Sequence, residues 1–195
     1  MKKNSLFVIA LLGLFIACQS EESLRHDILV KEETLMQSTA RSKAMDSLAN
    51  VLIADYDAYA TKYPKDSMTP TYLIREGQLY SSKRDYQKAA ELFNKVCVQY
   101  SSDRWASYAL FFQALAYSDW AQSNQNAVDV QKNVARSKSL FADFLKKYPT
   151  HSLVKDATNL MEMVGLSDEE MLQRAIQNRV ADSIAMASQE KFKLQ

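Results

Sequence analysis

Apolar positions along this chain fall into two patterns. The first is a single unbroken run, Leu6 to Ala17, softened only by Gly13 and preceded by Lys2 and Lys3. A membrane-spanning helix needs about 20 apolar residues, and this run is shorter. A basic start, a short apolar stretch and a small residue at its end are the parts of a secretory signal. The second pattern begins after Cys18, where apolar residues recur at spacings of three and four and put their side chains on one face of a helix. Pro64, Pro70, Pro149, Gly77 and Gly165 punctuate it. Helices are predicted at roughly 22–40, 43–62, 70–81, 85–99, 103–122, 130–147, 151–164 and 168–191. No run alternates β-branched and polar residues, so no strand is predicted. Ser167 and Glu170 have the spacing of a capping box for the last helix, and Gly165 supplies a left-handed stop before it.

Three segments repeat one arrangement: YDAYATKYP at 56–64, FNKVCVQYS at 93–101 and FADFLKKYP at 141–149. Each has an aromatic residue seven before a Tyr, and Tyr59, Val96 or Phe144 four before that Tyr. Recurrence at this scale points to a helical repeat. The middle unit adds Gly77-x-x-Tyr80 and, twelve residues after Gly77, Ala89-x-x-x-Phe93. Small Gly77 and Ala89 suit the touching point of two antiparallel helices, with Tyr80 and Phe93 filling the space around it. In the next unit Ala114 stands in for Gly, Tyr117 follows, and Ser137 and Phe141 close the pattern about eleven residues late. The surplus holds polar Gln122–Asn126, which predicts longer helices joined by an extended loop, read as a plain insertion with a partner-binding projection as the alternative.

These residues resemble the tetratricopeptide repeat. The resemblance implies an all-α fold: a right-handed superhelix of antiparallel helix pairs, about three repeats, closed by a C-terminal capping helix. In such repeats the first helix of each pair lines the binding surface. The matching positions here are Thr71, Ile74, Gln78 and Ser82, then Tyr108, Phe111, Leu115 and Asp119. The last helix places Leu172, Ile176, Val180 and Ile184 four apart. That stripe is expected to cover the final repeat as its cap, with a groove or partner-helix role as the alternative.

Phe15-Ile16-Ala17-Cys18 resembles a bacterial lipoprotein signal. The resemblance implies cleavage before Cys18, acylation of its sulfur and amine, and membrane attachment through several chains. Gln19 is not the Asp of inner-membrane retention, which favours the outer membrane, its periplasmic face before the cell surface. Taken whole, the chain resembles a tetratricopeptide-repeat lipoprotein of the Bacteroidetes envelope and is similar to the repeat lipoprotein of the β-barrel assembly machinery. Expected segments are a signal peptide at 1–17, a lipidated start and tether at 18–27, a repeat domain at 28–166 and a C-terminal helix at 167–195.

Charge and composition narrow the function. The chain carries 24 basic and 23 acidic residues, and loss of residues 1–17 removes Lys2 and Lys3. The mature balance is then 22 against 23, with no basic excess for nucleic acid. Cys18 and Cys97 are the only cysteines, so no internal disulfide framework is available; Cys97, between Val96 and Val98, is expected to be a buried thiol, with an intermolecular disulfide in an oxidising compartment as the alternative. His26 and His151 lack neighbours at metal-ligand spacing, and His151 reads as an exposed helix start. Asp55 and Asp57 point to different faces of one helix and read as solvated. No phosphate loop or nucleophile motif occurs. No cofactor, metal or catalytic residue is expected. The function expected is that of a lipid-anchored adaptor for an envelope protein or peptide; the alternative is a surface protein that captures a glycan or another nutrient, with Trp105 and Trp120 as its candidate stacking platforms.

Overall fold

The computed structural model describes residues 20–37 and 43–193. Cys18 and the signal sequence lie outside the described residues. The described chain is all-α, with eight helices and no strand: α1 (Glu21–Gln37), α2 (Lys43–Lys62), α3 (Thr69–Ser82), α4 (Tyr86–Gln99), α5 (Trp105–Ser123), α6 (Ala127–Lys147), α7 (Val154–Met163) and α8 (Asp168–Lys193). It divides into two compact units whose boundary, between Ala109 and Leu110, falls inside α5.

In the first unit α1 packs on α2, α2 on α3 and α3 on α4. Leu24 and Ile28 of α1 meet Leu52, Tyr56 and Tyr59 of α2 and Tyr72 of α3. The Tyr56 and Tyr72 rings stack at 5.4 Å, and Tyr59 meets Tyr72 edge-on at 4.8 Å, both favourable aromatic geometries. In α3 and α4 the contact is tighter. A Cβ added at Gly77 would lie 2.6 Å from Cε1 of Phe93, closer than real carbon atoms approach. Only glycine lets that ring sit against the α3 backbone, and Ala89 of α4 is fully buried.

In the second unit Phe111 and Ala114 of α5 join Leu140, Phe141 and Phe144 of α6, then Ala157 of α7 and Val164. Phe111 meets Phe141 and Phe144 edge-on, each at 5.7 Å. Buried Ser137 donates its hydroxyl to the Ala114 carbonyl at 2.8 Å, so this polar group is satisfied where the two helices meet.

The three repeated segments end alike. Tyr63, Tyr100 and Tyr148 each donate the backbone N–H to the carbonyl four residues back, on Tyr59, Val96 and Phe144. Three residues on, the N–H of Asp66, Asp103 and His151 returns to the carbonyl of that Tyr. The side chain of the same residue then accepts from the N–H two further on: Asp66 from Met68, Asp103 from Trp105 and His151, through Nδ1, from Leu153. These are Asx-type turns that launch the next helix. His151 is therefore not simply exposed: it is half-buried, with its ring edge-on to Phe144 at 5.4 Å.

Several expectations need correction. Residues 21–27, assigned to a tether, are the first turns of α1 and carry core residue Leu24. The extended loop near 120–130 is a short link, residues 124–126, because α5 runs on to Ser123 and α6 starts at Ala127. Asn126 makes that early start by accepting from Val128 and Asp129 N–H. The surplus residues went into helix, and no projection results. The stripe on α8 faces solvent: Leu172, Ile176, Val180 and Ile184 are all exposed. The neighbouring core is already filled by Ala157 and Val164, with Leu160 and Met161 packed against it. The α8 start follows the sequence reading: Glu170 and Ser167 exchange the two capping-box hydrogen bonds, and Gly165 has φ +84°.

Candidate interaction surfaces

The eight residues matched to a repeat groove do not share one environment. Thr71 and Ile74 of α3 and Phe111 of α5 are buried. As the helices stand they are packing residues, withdrawn from any partner. Leu73 and Glu76, which the groove assignment left out, are buried on the same helix, so α3 is enclosed over most of its circumference. Gln78 and Ser82 are exposed. Tyr108, Leu115 and Asp119 are half-buried. The cause lies in the composition of α5, which is apolar or small almost all round, a pattern that belongs to an enclosed helix. From Trp105 to Ala121 no residue of it is exposed. Burial pushes the Asp119 carboxyl above its ordinary range.

Both tryptophans are half-buried and already have neighbours. Trp105 lies 5.3 Å from the Tyr108 ring, and Arg104 stands 5.4 Å from its centre. Trp120 stacks on Tyr117 at 5.9 Å, with Arg136 over the Tyr117 ring. Cys97 is half-buried rather than buried, its sulfur 3.9 Å from the Ala106 carbonyl. Asp57 is exposed, whereas Asp55 is paired with Lys31 at 2.7 Å.

Sequence reading missed the polar clasp that holds α1. Arg25 donates to the Tyr59 hydroxyl and to Asp66, each at 2.6 Å, and pairs with Glu21 at 2.7 Å. Tyr59 donates to Asp66 at 2.8 Å. Burial raises the Asp66 carboxyl, but the Met68 N–H, the Tyr59 hydroxyl and Arg25 outweigh it and hold the group below its ordinary value. One turn beyond the middle of α1, Glu32 accepts from Tyr56 at 2.6 Å and from both sides of its carboxylate by Arg75 at 2.5 and 2.6 Å. Burial and the Glu32 hydrogen bond push the Tyr56 hydroxyl well above its usual range. The only advance signal was the count of charged residues at four-residue spacing on α1. Their partners lie 24 to 43 residues away, beyond any local pattern.

Glu76 is the second feature sequence did not show. It is 2% exposed on α3, and its Oε2 has no hydrogen-bond partner. Burial, reinforced by Asp57 on α2 and opposed by Lys88 and Lys95 on α4, raises its carboxyl to about 7. Such a group is held as the neutral acid until near-neutral pH.

Among the described residues no group of three or more His, Cys, Asp or Glu side chains is placed to hold a metal ion, and no helix is long and apolar enough to cross a membrane. A shallow open groove of about 460 Å³ on the second unit is bordered by Leu110, Asp143, Lys146 and Lys147. In the first unit, Gln78 and Ser82 are the exposed members of the predicted surface. No protein-family model matches the chain, and no curated protein matches it.

Proposed function

We propose that this chain is a lipid-anchored, non-enzymatic adaptor of the bacterial envelope, built of tetratricopeptide-like helix pairs. In this reading α1/α2, α3/α4 and α5/α6 are three repeats. Cys18 carries the lipid at the outer membrane, and an envelope protein or peptide is the partner. The observation that supports it most is the Gly77–Phe93 contact, where only a missing Cβ admits the ring. That is the contact the repeat signature exists to make. The hydrogen bonds shared by the three segment ends add to it. The exposed Gln78 and Ser82 and the Asp143, Lys146 and Lys147 edge are the contact positions of choice. A role in outer-membrane protein assembly fits such an adaptor.

The test is crosslinking in intact cells followed by affinity capture through a C-terminal tag. An envelope protein complex captured with the parent chain and lost with Cys18→Ala supports the adaptor. Retained binding of polysaccharide with no protein partner overturns it in favour of glycan capture. The neighbours that already occupy Trp105 and Trp120 weigh against that second reading.

A further inference from the structure

Glu76 lies in the middle of α3, one residue before the Gly77–Phe93 contact, and its Oε2 is buried with no hydrogen-bond partner. As a neutral acid the carboxyl can remain there, because protonation removes the charge that burial penalises. As an anion it needs compensation, and its surroundings say where that comes from. Exposed Asp57 on α2 repels the anion. On α4, exposed Lys88 and half-buried Lys95 attract it, and their spacing of seven puts both on one face of that helix. Lys88 also stands 4.0 Å from Glu91. Tyr80, one turn on in α3, completes the titratable groups facing Glu76; burial raises its hydroxyl, and the Glu76 charge adds to that. Repulsion from α2 and attraction from α4 therefore act in the same sense. The two helices are not held alike. Helix α2 is tied to α1 by the Tyr56–Glu32 and Lys31–Asp55 contacts and to α3 by the stacked Tyr56 and Tyr72 rings. Helix α4 joins α3 through residues 83–85 alone. In that turn Arg84 holds φ 64°, a conformation that a side chain disfavours. A swing of α4 about the turn lets water and the lysines reach the anion and lets Arg84 relax.

We propose that Glu76 is a proton switch: protonated, it lets α4 close on α3, and ionised, it opens that helix pair on the α4 side while α1 and α2 stay packed. Opening uncovers the Gly77 seam and the Phe93 ring, both buried in the closed pair. In the closed pair the carboxyl ionises at about 7, and in the open pair, in water, near its ordinary 4.5. The open form sheds its proton first. Its population therefore rises with pH by up to about tenfold per unit between those values and levels off above them. The switch does not depend on the adaptor reading.

Two measurements on the full chain with Cys18→Ala test this. Carbon-13 NMR follows the glutamate carboxyls with pH, and the Glu76 signal is identified by its loss in Glu76→Gln. The expected midpoint is near 7. Asp57→Asn lowers it and Lys95→Met raises it, each by about half a pH unit, the size expected of partly solvated charges. Both substitutions are at positions open to water, so the fold is kept. Amide hydrogen exchange, corrected for the intrinsic effect of pH, then locates the opening. Protection of α4 amides is expected to fall by more than about tenfold between pH 5 and pH 8, while α1 and α6 keep theirs. In Glu76→Gln the α4 amides stay protected at both values. A Glu76 midpoint in the ordinary carboxylate range overturns the proposal, and so does a raised midpoint with no fall in α4 protection. A fall shared by α1 and α6 shows unfolding of the whole rather than a local switch, and overturns it equally. A midpoint unmoved by both Asp57→Asn and Lys95→Met overturns the assigned push and pull.

Discussion

At the scale of single residues, two neighbours on α3 do opposite things. Gly77 is valuable for what it lacks. Gly77→Ala drives a methyl into the Phe93 ring, and overpacking of this kind costs about 1–3 kcal/mol, against a gain of about 1 from helix propensity. The expected outcome is a net loss of about 1 kcal/mol in urea unfolding. Adding Phe93→Leu makes room, so the double variant is more stable than the two separate losses sum to. Glu76 beside it is a buried acid raised to about 7 from an ordinary 4.5. The unfolded chain releases that proton first, so between these values the folded state holds the extra proton and stability falls as pH rises. It is complete below pH 4.5, declines towards pH 7 and is flat above. The decline is on the order of 3 kcal/mol. Glu76→Gln keeps the shape without the ionisation. It is expected to unfold at higher urea than the parent at pH 8 and to flatten this part of the pH profile. Equal slopes for both chains would show that Glu76 is not the group responsible.

Helix α1 is held by polar contacts as well as apolar ones. Leu24 and Ile28 enter the core and Leu35 packs against it, and the clasp residues add to that hold. Glu32→Ala leaves the Tyr56 hydroxyl without its acceptor in a buried place and Arg75 without its partner. A stranded buried donor costs about 1–3 kcal/mol. Arg75 is 41% exposed and turns to water, which keeps the loss near 2 rather than higher. Lys31→Ala, at a half-buried pair whose loss strands no buried hydroxyl, is expected to cost about 1 kcal/mol. Hydrogen exchange is the measurement: amides of α1 exchange faster in Glu32→Ala while those of α6 do not. Helices were legible in the sequence wherever punctuation and period agreed, as at Gly165, the Ser167–Glu170 capping box and the three aromatic segments, whose spaced residues Tyr56, Tyr59, Phe93, Val96, Phe141 and Phe144 are all buried. The reading failed where the structure uses an unmarked residue. Arg84 turns left-handed with φ 64° between α3 and α4 where no glycine signals it, and His151 fills a turn position that Asp66 and Asp103 hold elsewhere. The candidate groove was less legible still. Spacing gives the face of a helix, but how many neighbours enclose that face is set by packing from distant sequence, and Thr71, Ile74 and Phe111 were lost to it.

For the whole molecule, the proposed anchor and the described helices meet at the N-terminus: only Gln19 and Ser20 separate Cys18 from α1. Under the proposal a lipid there would hold α1, and the clasp would pass that hold to α2 and α3. The chain is expected to enter the detergent phase on Triton X-114 partition, and Cys18→Ala to stay in the aqueous phase. A parent chain found in the aqueous phase would remove the anchor from the proposal. The enclosed helix α5 has a further consequence, one for inheritance. Compact units ordinarily join through exposed linkers, where a gene can be cut and rejoined without harm. Here the boundary lies in the middle of a helix with no exposed residue from Trp105 to Ala121. Recombination at that point would leave each product with half a helix and bare apolar side chains.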